Sequence, residues 1–93
     1  MARVKGLTFA DAREFVVGRG GMEAWQRLRG DLTEADRTLL DEVIAVGWYD
    51  LGTHIRMLEA IPKALGLDEH AAMHEYARYA AQNHVSRVHR VLL

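Results

Sequence analysis

Apolar residues recur at intervals of three and four along almost the whole chain, the spacing that gathers side chains on one face of a helix. No long stretch alternates β-branched and polar residues. Five segments follow. The first covers Thr8–Val17, with Leu7, Phe9, Ala12, Phe15 and Val16 on one side. Thr8 and Asp11 form a loose capping box, and Gly18, Gly20 and Gly21 break the helix because glycine carries a high helical cost. The second, Met22–Leu28, carries a narrow Met22, Trp25 and Leu28 stripe. It is too short to hold alone in water, so Trp25 has to anchor it, and Gly30 ends it. The third, Thr33–Val46, begins on a Thr33 N-cap with Glu34 and Asp36 at the positive helix end. Leu39, Leu40, Val43, Ile44 and Val46 form its expected buried face, and Gly47 suits a left-handed position past the end.

The fourth segment starts after Asp50, with Leu51, Ile55, Leu58, Ile61 and Leu65 as its stripe. Pro62 lies inside that pattern and predicts a kink, or an end at Ile61, and Gly66 closes the segment. The fifth runs from Asp68 to near the C-terminus. Its stripe is Met73, Tyr76, Ala77, Ala80, Ala81, His84, Val85, Val88, Val91 and Leu92. The expected fold is all-α: a compact bundle of four to five helices with a long C-terminal helix, one domain over residues 1–93.

Composition narrows the function classes. Ninety-three residues with 49% apolar content support one modest core. The absence of cysteine excludes disulfides, thiolate metal sites and thiol catalysis. A net charge of −1 argues against a surface built to neutralise phosphates. No apolar run is long enough to span a bilayer, and the first residues lack a signal-peptide core, so a cytoplasmic location is expected.

The stretch "GWYD", Gly47 to Asp50, joins the third and fourth segments with almost no linker. Trp48 and Tyr49 either fill a packing corner between helix ends or present an aromatic patch to a partner. Both readings stay open on sequence alone.

Here a resemblance enters. The stretches "VKGLTFADAREFV", "GGMEAWQRL", "GWYDLGTHIRMLEAIPKALGL" and "MHEYARYAAQNH" resemble the N-terminal helical part of heme nitric-oxide/oxygen-binding (H-NOX) domains. They are more similar still to a group of paralogous proteins abundant in myxobacteria. The matching residues are Lys5, Gly6, Phe15, Trp25, Gly47, Trp48, Tyr49, Leu58, Tyr76 and Arg78. The heme family grips its cofactor with a proximal histidine and a Tyr-x-Ser-x-Arg motif in a later half. No such motif occurs in these residues, and Ala77 stands where the family has glycine. The resemblance therefore implies an α-helical subdomain of a sensor-like fold, reused as an interaction module, and no cofactor is expected.

Candidate chemistry is sparse. His70 and His74 are one turn apart and make a weak metal pair, for which His54 is the histidine left to serve as a third ligand. His84 on the apolar stripe is a candidate ligand or a boundary histidine. With Trp48, Tyr49 and Met57 it defines an expected small-molecule pocket between the fourth and fifth segments. Arg87 and Arg90 share a side, a feeble nucleic-acid signal. Glu14, Glu42, Glu59 and Glu75 are dispersed, Ser86 is the only serine, and "GRGG" follows a helix rather than a strand. An enzyme is not expected. The expected function is a non-catalytic protein-interaction module forming a homodimer, with Trp48, Tyr49, Val85, Val88, Val91 and Leu92 at the interface. The alternative is a heme-like sensor subdomain, and nucleic-acid binding ranks below both.

Overall fold

The computed structural model describes residues 2–92, with side chains through residue 83. The order of elements is β1 (Arg3–Lys5), α1 (Gly6–Gly30), α2 (Glu34–Glu42), β2 (Trp48–Asp50), α3 (Leu51–Leu65) and α4 (Glu69–Leu92). The helical content agrees with the periodicity. Four helices make a small, mostly helical bundle, as expected, and a small two-stranded sheet that the periodicity does not show is added to it.

The first two expected segments are one run, α1, interrupted at Gly21 alone, where φ is 74° and ψ −176°. A positive φ of this kind is open to glycine and strained for other residues. Gly18 and Gly20 stay helical. Phe9, Ala12, Phe15 and Val16 from the first half, and Ala24, Trp25 and Leu28 from the second, are buried together. Trp25 does anchor the short second half, whereas Met22 is exposed.

Helix α2 begins where expected, with the Thr33 hydroxyl accepting a hydrogen bond from the Asp36 amide at 3.2 Å. It stops at Glu42, four residues early. Val43 is already extended, and the next carbonyls are diverted to α1. The Gly6 amide donates to the Gly47 carbonyl at 2.9 Å and the Leu7 amide to the Ala45 carbonyl at 3.1 Å. These bonds satisfy the first free amides of α1, whose N-cap Lys5 offers no side-chain acceptor. The approach is close: a Cβ on Gly6 would lie 1.8 Å from the Ile44 carbonyl oxygen. Gly47 is not left-handed, since the positive-φ glycines are Gly21 and Gly66. Ile44 and Val46, expected inside, are exposed.

Strands β1 and β2 pair antiparallel, Arg3 with Asp50, Val4 with Tyr49 and Lys5 with Trp48. The Leu51 amide closes the ladder on the Ala2 carbonyl at 3.1 Å.

Helix α3 continues through Pro62 to a left-handed cap at Gly66, so neither the kink nor the early end at Ile61 is needed. One missing donor near a helix end is tolerable because the Gly66 and Leu67 amides close the last turn on Lys63 and Pro62 carbonyls. The buried face is Thr53, His54, Met57, Ala60, Ile61 and Ala64. That face is rotated from the expected stripe: Ile55 is exposed, and Leu51, Leu58 and Leu65 are half-buried. Small Ala60 and Ala64 admit α1 closely, while Thr53 and His54 tolerate burial through specific contacts.

The Asp68 carboxylate caps α4 by accepting from the Ala71 amide at 3.1 Å. Ala72 is buried, and Met73, Tyr76 and Tyr79 pack against the core. Both tyrosine rings lie 5.4 Å from Phe15 between centroids. Tyr79 donates to Glu14 at 3.1 Å, and Arg19 pairs with Glu75 at 2.5 Å. Ala77 and Ala81, placed on the expected stripe, are exposed. The side chains of His84, Val85, Val88, Val91 and Leu92 lie outside the described residues. Among the described residues no helix is long and apolar enough to cross a membrane.

Candidate functional site

The "GWYD" break resolves into a strand whose two aromatics face opposite ways. Tyr49 turns inward. Its ring meets Phe9 edge-on at 5.9 Å, and its hydroxyl accepts from the Ile44 amide at 2.9 Å. The Gly47 amide donates to the Ile44 carbonyl at 3.1 Å, closing a turn. A Cβ on Gly47 would stand 2.5 Å from the Tyr49 hydroxyl oxygen, so the turn and the tyrosine require each other. Tyr49 is thus a packing residue.

Trp48, next in the pleat, points outward. The bonded positions flanking the sheet, Gly6 with Gly47 and Ala2 with Leu51, make Lys5–Trp48 a non-hydrogen-bonded pair by alternation. Side chains approach more closely in such pairs. Accordingly Lys5 Nζ lies over the Trp48 ring, 5.4 Å from its centroid. Trp48 is 59% exposed, Val46 75% and Ile44 60%. Ile44 and Val46 belong to the turn that precedes β2 and Trp48 to β2 itself, so three large apolar side chains within five positions are exposed.

The polar centre lies elsewhere. Asp36, only 3% exposed, accepts from Thr53 Oγ1 at 2.9 Å and from Arg56 through Nε at 2.6 Å and Nη2 at 2.9 Å. The Arg56 hydrogen bonds hold the Asp36 carboxyl below its ordinary value, against the opposing effect of burial. Asp36 in turn raises the Arg56 guanidinium. Both carboxylate oxygens are occupied, so this triad joins α2 to α3 and offers no free base. Sequence reading saw Asp36 only as a helix-start residue. The available signal was a Thr and an Arg three apart on α3, able to meet one acceptor together.

His54 is 7% exposed and packs edge-on against Phe9 at 5.2 Å. Its Nε2 has no hydrogen-bond partner. Burial lowers its pKa, partly offset by a hydrogen bond to the Thr8 backbone. It cannot join His70 and His74, which are both exposed. No group of three or more His, Cys, Asp or Glu suited to a metal occurs among the described residues. A depressed histidine pKa means that the unfolded chain binds the proton first. Stability from neutral His54 is therefore full above the ordinary imidazole value of 6.5 and is lost as pH falls below it toward the folded value. Denaturation at about pH 7.5 and about pH 5.5 should show a weaker wild type at the acid end and a flatter response in His54→Leu. Equal slopes would remove His54 as the cause.

Met57 is sealed in the core while Trp48 faces out, so the structure does not gather them around one cavity. The Tyr76 phenol is pushed up to about 12, chiefly by burial. No family model matches the chain, and no curated protein or solved structure matches it either.

Proposed function

We propose that the chain is a non-catalytic protein-interaction domain that self-associates through the exposed apolar segment Ile44–Trp48. The observation carrying this reading is the exposure of Ile44, Val46 and Trp48 on a segment fixed by backbone bonds to α1 and by the Tyr49 hydroxyl. A rigid apolar stripe loses little conformational freedom on docking, and tryptophan is over-represented among residues that dominate binding energy. A domain of this size has little core to spare, and covering the stripe with a second copy would stabilise both. In this reading α4 acts as one long amphipathic helix, and Val85, Val88, Val91 and Leu92, whose side chains lie outside the described residues, are further candidates for the interface by their helical spacing alone. The symmetric homodimer is the simplest closed arrangement.

Sedimentation at low micromolar concentration is expected to give a dimer. The double substitution Val46→Ser and Trp48→Ser should weaken dimerisation by at least about 30-fold, the scale of losing one dominant aromatic contact. Its monomer fold should remain intact by circular dichroism, because both side chains are outside the core. A monomeric wild type, or a double variant that still dimerises, would reject the proposal.

A further inference from the structure

A second surface has a different character. The two halves of α1 and helix α2 enclose a cleft of about 350 Å³, at the small end of the range for small-molecule sites, roughly 300–1,000 Å³. Phe9 and Trp25 form its floor, Leu40 and Val43 its apolar wall, and Arg13 and Asp41 its charged rim. The two rim charges are not equivalent. Asp41 is held by Arg29 through paired bonds of 2.6 and 3.2 Å. Arg13 has no hydrogen bond or ion pair to the described residues. Its guanidinium is instead positioned over the Trp25 ring, 5.7 Å from the centroid.

We propose that this cleft binds a small apolar carboxylic acid as its anion, with the carboxylate on Arg13 and the hydrocarbon part against Leu40, Val43 and the aromatic floor. A guanidinium held over an aromatic face keeps its planar fork available for two parallel bonds to a carboxylate. The apolar wall selects against bare inorganic anions, which leave it uncovered.

The inference is tested by nuclear magnetic resonance titration of the whole chain with 3-phenylpropionate. The expected result is saturable movement of the Trp25 indole and Arg13 guanidinium signals, with a Kd of about 1 mM or tighter. Arg13→Gln, an exposed substitution, should bind at least about tenfold more weakly while leaving the other core signals in place. The neutral amide 3-phenylpropionamide should lose a similar factor on the wild type. Inorganic phosphate should not compete. Absence of saturation by about 10 mM, equal binding by the amide or by Arg13→Gln, movement centred outside the cleft, or effective competition by phosphate would each overturn the assignment.

Discussion

Phe9→Ala is expected to remove about 3–5 kcal/mol of folding stability, the usual range for truncating a buried aromatic. Phe9 is where three elements meet: it belongs to α1, its ring meets Tyr49 of β2 edge-on, and it meets His54 of α3 edge-on. Truncation would leave a cavity between rings that cannot collapse together, since Tyr49 is tethered through its hydroxyl to the Ile44 amide. Domains of this kind have only about 5–15 kcal/mol in total, so the variant should be close to unfolded at modest urea. The check is urea denaturation followed by circular dichroism, with Ile44 amide protection read by hydrogen exchange. A loss below about 1 kcal/mol would show that these rings do not form one packed unit.

The second large effect is at Asp36. Removing a buried partner from an ion pair costs about 3–5 kcal/mol when the remaining charge is trapped. Arg56 is not trapped, because half of its side chain is exposed, and it can recover water. Asp36→Ala should therefore cost less, about 2–3 kcal/mol, mostly from the severed link between α2 and α3 and from a Thr53 hydroxyl that keeps the Arg56 donor but loses the acceptor for its own proton. The pH dependence has a definite sign. The folded-state carboxyl is lowered, so its contribution is complete above the ordinary value of 3.8 and fades as pH falls through the lower folded value. The gap between wild type and variant should be constant from neutral pH down to about pH 5 and should narrow only in stronger acid. A gap that closes near neutrality would contradict a paired, ionised Asp36.

Helix positions were legible in the sequence because three-and-four spacing is sustained over many residues. Thr33 and Gly66 take the capping roles their chemistry suggests, Asp68 caps α4 rather than lying in its first turn, and Asp50, a good N-cap by type, makes no side-chain cap bond to α3. The short strands were not legible. Three residues cannot display an alternating pattern, and "WYD" reads equally as a loop. What ends α2 early is a tertiary demand: the α1 amides take the Ala45 and Gly47 carbonyls. No count of local apolar residues contains that information, so Ile44 and Val46 were placed inside. The rotated face of α3 has a related cause. Counting only apolar residues overlooked Thr53 and His54, whose burial depends on Asp36 and Phe9, residues remote in sequence. Trp48 and Tyr49 read as one aromatic pair in the sequence, whereas their opposite directions follow from the pleat and depend on the strand being known.

The central claim is that the Ile44–Trp48 stripe is covered when two copies meet. The most direct test labels both tryptophans with 5-fluorotryptophan and follows the fluorine spectrum from low to high micromolar protein. The account predicts that the Trp48 signal moves or splits with concentration while the Trp25 signal, deep in the core, stays fixed. A Trp48 signal that remains constant and solvent-exposed across a concentration range in which the particle dimerises would contradict it.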